Sequence, residues 1–222
     1  MMVASEGMVS PFDPFAEAYD DWFDGEGKLI FASELAALQL VLPDLPGSWL
    51  EIGVGSGRFA QALGIDKGID PSTRLLALAK RRGVQVFQAG GEDHLFDVAS
   101  YGAVFLILTL CFVQSPIKVL REAQRILIPG GKVVIAMIPN NSRWGRQYQD
   151  KKAAGHAIYK RATFFGLLGV LEMMLEAGFS FDRMVSTLFQ DPEQVTEEEV
   201  PRTGYHAGAG FYVIVGQKPA SF

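Results

Sequence analysis

The chain has 222 residues, a formal net charge of −5 and 49% hydrophobic residues. This length and apolar content are enough for a large core, so we expect one domain over residues 1–222. The acidic balance argues against a nucleic-acid partner, whose phosphates need a basic face. The only cysteine, Cys111, excludes a disulfide within the chain.

The first residues, 1–6, lack the positive region and apolar core of a signal peptide. The longest uncharged apolar run, residues 103–113, is shorter than the roughly 20 helical residues that cross a bilayer. We therefore expect a cytoplasmic protein without a membrane span.

The first well-marked element is an apolar run that stops at three alternating glycines, Gly53, Gly55 and Gly57. The pattern predicts a strand at residues 48–52, a tight loop and a helix. Glycines let a ligand approach the backbone closely, and the start of the helix offers N–H donors. A nucleotide-like ligand is therefore expected at this loop.

A second short strand, residues 67–69, runs into Asp70 and Pro71. A carboxylate there could accept hydrogen bonds from both hydroxyls of a ribose. Arg58 stands where the dinucleotide-binding fingerprint needs its third glycine, and the P-loop spacing of glycine, lysine and serine or threonine is missing. The sequence thus favours neither a dinucleotide nor a nucleoside triphosphate.

The next helix is predicted between Ser72, a suitable N-cap, and Gly83, a suitable C′ residue. Further strands are expected at residues 84–87 and 103–109. A helix at residues 116–127 carries apolar residues at helical spacing, which predicts packing on a sheet.

The last strands are expected at residues 132–138, 181–188 and 210–216. The alternation of strands and helices predicts an α/β fold with a mostly parallel sheet and helices on both faces.

Four motifs occur in order: the glycine loop, the acidic end of the second strand, a Gly90–Asp93 turn after the third strand, and a helix-to-turn segment at residues 120–132. Together they resemble the class I S-adenosylmethionine (SAM) dependent methyltransferases, in particular the small single-domain quinone and sterol methylating type, also called type 11. The resemblance implies a Rossmann-like fold whose seven-stranded sheet has the order 3-2-1-4-5-7-6, with strand seven antiparallel.

The resemblance also implies SAM as cofactor and S-adenosylhomocysteine as product. The residues that it assigns to cofactor contacts are Glu51, Gly53, Gly55, Gly57, Asp70, Pro71, Gly91, Glu92, Asp93 and Leu108. The chain departs from the family at Gly90, where many members carry an acidic residue, so Glu92 or backbone groups would have to contact the adenine.

In such a sheet the ligand binds beyond the carboxyl ends of the strands, at the topological switch point. Two aromatic-rich segments, residues 1–35 and 139–165, are expected to emerge at this edge and to form a lid over a small-molecule pocket. The candidate acceptor contacts are Tyr19, Trp22, Tyr148 and His206.

Methyl transfer depends mainly on in-line positioning and exclusion of water, so the sequence names no obligatory catalytic residue. Some acceptors still need a base, for which His206 and Tyr19 are weak candidates. No Cys-x-x-Cys or His-x-x-x-His spacing predicts a metal site.

The leading interpretation is a SAM-dependent methyltransferase that acts on a small molecule. Two alternatives stay open at this point: a SAM-binding regulatory or scaffold protein without methyl transfer, and another Rossmann-type enzyme such as a dehydrogenase. The methyl acceptor, the methylated atom and the oligomeric state are not defined by the sequence.

Overall fold

The computed structural model describes residues 10–220, so residues 1–9 of the expected lid lie outside the described residues. The strands in this range form one sheet of eight, in the order β3-β2-β1-β4-β5-β8-β6-β7. They are β1 (Trp49–Ile52), β2 (Lys67–Asp70), β3 (Gln85–Gln88), β4 (Tyr101–Ile107), β5 (Leu127–Met137), β6 (Ser180–Thr187), β7 (Arg202–Thr203) and β8 (Phe211–Gln217).

Seven α-helices connect these strands within the described range. They are α1 (Ala16–Trp22), α2 (Lys28–Gln39), α3 (Arg58–Leu63), α4 (Thr73–Arg81), α5 (Pro116–Ile126), α6 (Arg143–Ala153) and α7 (Leu167–Glu176). The local signals at α4 are confirmed, since the Ser72 hydroxyl accepts a hydrogen bond from the Leu75 N–H at 3.1 Å and Gly83 has a φ of +88°.

The expected strand order is confirmed, with β8 in the place of the seventh strand and antiparallel to both neighbours. The count of seven strands was one too low. The additional strand β7 has only two residues, which pair with Val185 and Ser186 at the open edge of β6. Two residues are too few to show a periodicity, so no sequence pattern indicates this strand.

Strand β5 begins at Leu127, five residues before the predicted start at Lys132. Leu127 pairs with Tyr101, and the register shifts before the pairing of Ala103 with Lys132. The segment expected to be a turn is therefore an irregular first part of the strand, with Gly130 at a φ of +75°.

Alternate residues of β4 enter two separate cores. Phe105 and Ile107 pack on the face covered by α2 and α3, whereas Val104 and Leu106 pack on the face covered by α5 and α7. Because helices cover both faces, the central strand is apolar throughout. The sheet is thus a rigid platform whose carboxyl ends at β1 and β4 define the switch point.

Within residues 10–220, no helix combines the length and the apolar composition that crossing a membrane requires.

Candidate active site

The loop after β1 is held together by its own N–H groups. The N–H groups of Gly53 and Val54 both donate to the Ile69 carbonyl, at 2.8 and 2.9 Å, and that of Gly57 donates to the Val54 carbonyl at 2.9 Å. The Gly55 N–H donates to a carboxylate oxygen of Asp70 at 3.0 Å. The three glycine N–H groups therefore fix the loop, and the loop offers a ligand close approach to its Cα atoms.

Gly53 stands where only glycine fits. Its φ is +77°, and an added Cβ would lie 2.5 Å from Cγ2 of Thr109. The Thr109 hydroxyl, which the sequence analysis did not single out, donates to the Ile52 carbonyl at 3.1 Å and so ties the end of β4 to the end of β1. A glycine at position 53 is therefore needed for the junction between β1 and β4, and it also allows a ligand to approach the backbone closely.

Gly55 and Gly57 differ in what surrounds them. An added Cβ at Gly55 would meet only the Leu75 side chain, at 4.0 Å, so this glycine borders open space. At Gly57 it would lie 2.8 Å from Cβ of Ala79, where α4 packs against the loop. The assignment of Gly57 as a cofactor contact stays a prediction, and its packing against α4 is sufficient reason for a glycine.

Asp70 organises the loop from the end of β2. One of its oxygens accepts from the Ser72 N–H at 2.8 Å and the other from Gly55. Burial raises the pKa of this carboxyl to about 6, although the two N–H donors lower it in part. Pro71, the next residue, accepts a hydrogen bond through its carbonyl from the Gln88 amide at 3.3 Å.

Glu51 is 2% exposed, and its Oε2 has no hydrogen-bond partner within residues 10–220. Burial, with a further contribution from the charge of Asp70, raises the pKa of Glu51 well above its ordinary value. The carboxyl group borders a cavity of about 30 Å³, whose lining residues are Tyr19, Phe23, Glu51, Gly53, Val54, Gly55, Ser56, Arg58, Phe59, Ile107 and Leu108. A buried acceptor without a donor marks this cavity as a place for a cationic or N–H-bearing ligand group.

Leu108, at the end of β4, is the non-glycine residue of this cavity with a positive φ, +53°. Such a backbone costs about 1–3 kcal/mol and occurs preferentially at functional sites. Its N–H donates to the Ala136 carbonyl at 2.9 Å, which holds the strained turn in place.

Helix α1 closes the cavity from above, and four charged residues fasten it there. Asp20 of α1 receives hydrogen bonds from Arg58 Nε at 3.0 Å and from Arg82 Nη2 at 2.6 Å. Arg58 also pairs with Asp24 at 2.5 Å. We call Asp20, Asp24, Arg58 and Arg82 the α1 network. Burial alone would raise the pKa of Asp20, but the hydrogen bonds from the two arginines outweigh it and lower the pKa to about 2.

The turn after β3 lies apart from the cavity. Gly91 packs closely, since an added Cβ would lie 2.9 Å from the Ile52 side chain. Glu92 accepts a hydrogen bond from the Ser115 N–H at 3.1 Å, at the start of α5. Asp93 accepts from the Gly90 N–H at 2.7 Å. Both acidic side chains thus have partners in the protein, and their contact with adenine stays a prediction.

The candidate acceptor contacts are not brought together as a group. Tyr19 lines the cavity, whereas Trp22 packs against Phe23 at a ring distance of 5.2 Å and does not line it. The His206 ring nitrogen lies 3.0 Å from the Thr203 carbonyl, beside β7 at the far edge of the sheet. This position separates His206 from the glycine loop by several strands.

Tyr19 and Tyr148 both have buried hydroxyl groups. Burial, followed by the charges of other acidic groups, raises the pKa of each above its ordinary value, so the phenols stay protonated at neutral pH. Tyr19 can donate a hydrogen bond there but cannot serve as a general base in this form.

Sequence reasoning missed Glu34. This residue of α2 is 2% exposed, and burial raises its pKa to about 8. It has no hydrogen bond or ion pair within residues 10–220. A glutamate inside an amphipathic helix gives no local signal of burial, so only the packed structure identifies it.

A larger groove of about 440 Å³ lies between α2 and residues 198–201. None of its lining residues belongs to the glycine loop or to a strand end, so we do not assign the chemistry to it. In the part of the chain from 10 to 220, no three metal-ligating side chains are grouped.

A methyltransferase domain model matches residues 50–135 of this chain, which include the glycine loop, Asp70 and β4. A solved structure from Thermotoga maritima, described as a SAM-dependent methyltransferase and possible histamine N-methyltransferase, superposes with a TM-score of 0.87 at 36% identity, covering 94% of this chain and 98% of that one. The chain belongs to the SAM-dependent methyltransferase family.

Two uncharacterised relatives extend the match along the sequence. A protein of Methanocaldococcus jannaschii is 39% identical over 210 residues, covering 95% of this chain and its own full length. A protein of Mycobacterium tuberculosis is 39% identical over 201 residues, 90% of this chain and 70% of its own. The protein is therefore a methyltransferase with SAM as its cofactor, and the dehydrogenase alternative is set aside.

Proposed function

We propose that this enzyme transfers a methyl group from SAM to a small molecule held between the glycine loop and the aromatic segments above it. The observation that carries the proposal is the buried Glu51 carboxyl group, which has an oxygen without a partner in the described chain and belongs to a residue that lines the 30 Å³ cavity together with Gly53. Its position fits the ammonium group at the methionine end of SAM, which would supply the missing donor and favour the ionised carboxylate.

The other floor residues fit the rest of the cofactor. Asp70 keeps acceptor capacity on both oxygens for ribose hydroxyls, because each oxygen accepts one N–H from the protein. Gly55 borders open space and lets an adenosyl group approach the backbone. Leu108 forms the opposite wall at the switch point.

The chemistry asks little covalent work of the protein. SAM, when bound, supplies a methyl group on a sulfonium sulfur, and its transfer leaves a neutral thioether and an acceptor with one proton to lose. The chain's own contribution is to orient the acceptor, exclude water and receive that proton or pass it to solvent. Tyr19 is placed to donate a hydrogen bond to an acceptor oxygen or nitrogen at the cavity.

Helix α1 has to shift before this can happen. Sites for ligands of this size occupy about 300–1,000 Å³, whereas the cavity measures about 30 Å³ because Tyr19 and Phe23 occupy its roof. We propose that α1 acts as a lid over the cofactor, that residues 139–165 cover the acceptor, and that the α1 network holds the lid shut.

The solved T. maritima relative suggests an amine or imidazole acceptor as a specific candidate. We infer that this class should be tested first, since Tyr19 and the carboxyl-bearing Glu51 both line the cavity.

Two measurements test the proposal. Isothermal titration calorimetry of the full chain should show binding of SAM and S-adenosylhomocysteine but not of NAD, with Glu51→Gln weakening SAM at least tenfold. A tritiated-methyl assay should then show transfer to a small-molecule acceptor. Absence of SAM binding by the wild-type protein would refute the assignment. SAM binding without transfer to any acceptor, protein or nucleic acid would favour a binding or scaffold role instead.

A further inference from the structure

The segment 143–161, which belongs to the proposed cover of the acceptor, is strongly basic. It contains six lysine and arginine residues and one acidic residue, in a chain whose formal net charge is −5. Four of the six lie in the last turn of α6 and in the short helix at residues 159–161, namely Lys151, Lys152, Lys160 and Arg161. We call these four residues the basic turn.

Hydrogen bonds hold the two parts of the basic turn together. The Lys152 ammonium group donates to the carbonyl of Ala162, the residue after the short helix, at 2.6 Å. The His156 N–H donates to the Lys151 carbonyl, and the Lys160 N–H donates to the His156 carbonyl, both at 3.0 Å. The end of α6 and the short helix therefore form one compact unit that brings its four cations close together.

The charges of the basic turn are not neutralised within the described chain. Of the six basic residues in the segment, Arg143 alone pairs with a carboxylate there, that of Asp191 at 3.8 Å, at the other end of α6. The dipole of α6 favours the two lysines in its last turn. It does not account for Lys160 and Arg161, which follow the helix and are exposed.

The basic turn leads to the end of β4, where the cofactor cavity lies. The N–H of Thr163, two residues after the basic turn, donates to the Cys111 carbonyl at 2.7 Å. The Cys111 thiol in turn donates to the Leu108 carbonyl at 3.3 Å, and Leu108 lines the cavity together with Glu51. Two hydrogen bonds thus connect the chain beside the basic turn to the wall of the cofactor site, at the switch point where sheets of this kind bind ligands.

We propose that the basic turn binds an anionic group of the methyl acceptor, a carboxylate or a phosphate. This inference rests on the proposed function and narrows its small-molecule acceptor to one that carries a negative charge. Lysine and arginine form charge-assisted hydrogen bonds with both anions. Two of the cations are already held in place, Lys152 by the Ala162 carbonyl and Lys151 by the Tyr148 ring, whose centroid lies 5.3 Å from Nζ. This preorganisation lowers the entropy cost of binding.

The two sides of the site have opposite charges, which fits their two ligands. Glu51 lines the cofactor cavity and Asp70 contacts its glycine loop, and SAM carries a net positive charge. An anionic acceptor is therefore repelled from the cofactor floor and attracted to the basic turn, which sets its orientation.

The same arrangement separates binding from reaction. Hydrogen bonds from cations stabilise the lone pairs of an anion and make its oxygens weaker nucleophiles. The anionic group is therefore an anchor, and the methylated atom is an uncharged oxygen or nitrogen elsewhere in the same molecule. An imidazole or a phenol linked to a carboxylate or a phosphate is the simplest acceptor of this kind.

Pairs of compounds that differ in one anionic group test this proposal. We would measure binding to the wild-type protein saturated with S-adenosylhomocysteine, by calorimetry at pH 7.5 and low salt. The pairs are imidazolepropionate against imidazolepropanol, hydroxyphenylpropionate against hydroxyphenylpropanol, and histidinol phosphate against histidinol. The expected result is that at least one compound with the anionic group binds ten times or more tightly than its partner. Equal binding of both members of every pair, or no binding of any anion, would overturn the proposal.

Two matched double variants make the test specific to the basic turn. Lys160→Gln combined with Arg161→Gln removes two exposed charges. It should reduce the preference for the anion at least tenfold, with the dissociation constant for SAM within twofold of wild type.

Lys80→Gln combined with Arg81→Gln is the control. It removes the same pair of residue types from the exposed end of α4, which leads into β3 at the edge of the sheet opposite to the glycine loop. This variant should leave both values unchanged. An unchanged anion preference in the first double variant, or an equal loss in both, contradicts the proposal.

The two hypotheses fail in different ways. If SAM does not bind wild-type protein, the proposed function fails. If SAM binds and the preference for an anionic compound is absent, only the assignment of the basic turn fails. The comparison of each pair on the wild-type protein does not depend on any variant folding correctly.

Discussion

The glycine loop and Glu34 of α2 are buried in opposite ways. In the loop, the N–H groups of all three glycines and both oxygens of Asp70 have partners within the protein. Glu34 is 2% exposed, and burial raises the pKa of its carboxyl group to about 8. The loop is thus a preorganised floor of satisfied polar groups, whereas Glu34 carries an uncompensated cost of desolvation.

The largest expected effect comes from adding one methyl group to the floor. Gly53→Ala forces a residue with a φ of +77° into contact with Thr109. We expect a loss of about 2–4 kcal/mol in the free energy of unfolding and at least a hundredfold weaker SAM binding. Chemical denaturation and calorimetry measure the two effects.

Gly64→Ala is the matched control, because Gly64 has a φ of +74° and open space around an added Cβ. This variant should lower the free energy of unfolding by only about 1–2 kcal/mol and leave SAM binding intact. If both variants bind SAM equally well, the loop is not the cofactor floor.

The second effect is a pH dependence of cofactor binding. The pKa of Asp70 in the free protein is about 6, and its ionised form is the better acceptor for ribose hydroxyls. The affinity for SAM should therefore fall about tenfold from pH 7 to pH 5. Calorimetry over this pH range measures the change in affinity. The Asp70→Asn variant should bind SAM more weakly than wild type, with an affinity that does not change with pH, which would identify Asp70 as the cause of the pH dependence. A flat profile in the wild type would show that Asp70 does not bind the ribose.

Loosening the lid should have a smaller effect. Asp20→Asn removes the charge that joins Arg58 and Arg82 to α1. We expect the free energy of unfolding to fall by about 1–2 kcal/mol, a modest loss because part of the α1 network is exposed to solvent. We also expect SAM to associate several-fold faster in stopped-flow fluorescence. The Asp24 side chain is 72% exposed, so Asp24→Asn should change both values less than Asp20→Asn. Slower association in Asp20→Asn would exclude a gating role for α1.

Wild-type stability should also reflect Asp20 at low pH. Its pKa is about 2 in the folded protein, below the ordinary 3.8. The stabilisation from the ionised Asp20 is fully present above the pKa that this residue has in the unfolded state, and it is lost as the pH falls toward 2.

The smallest effect concerns the burial of Glu34. The folded pKa of Glu34, about 8, lies above its ordinary value of 4.5, so the folded state binds more protons between these values and stability falls as the pH rises through them. Glu34→Gln removes this loss of stability at high pH, because the glutamine amide does not ionise.

The melting temperature of Glu34→Gln should therefore exceed that of wild type by about 2–6 °C at pH 9 and by less at pH 5. A melting-temperature difference that does not grow with pH would mean that Glu34 has an unrecognised partner.

The same contrast explains what could be predicted from sequence. The glycine loop, Asp70 and the N-cap at Ser72 depend on neighbours in the chain, so their patterns are readable. The strand order was predicted because the ordered motifs resemble those of the methyltransferase family. Strand β7 and the irregular start of β5 depend on pairings across the sheet, and no local pattern marks them.

The acceptor side of the site was predicted less well, because it too depends on contacts that no local pattern marks. Its aromatic residues were noticed, and Tyr19 does line the cavity. His206 was a candidate acceptor contact and base, yet its ring contacts the Thr203 carbonyl at the sheet edge. Glu34 was missed because its burial depends on the packing of α2 against the sheet and α3, which no local pattern marks. Contacts between distant segments determine this half of the site.

The most direct test is a crystal structure of the full chain with S-adenosylhomocysteine. We expect the amino end of the ligand at Glu51, its ribose at Asp70, and Tyr19 moved from the cavity roof with the α1 network rearranged. The ligand bound elsewhere, for instance in the groove beside residues 198–201, or bound with α1 and Tyr19 in their present places, would contradict it.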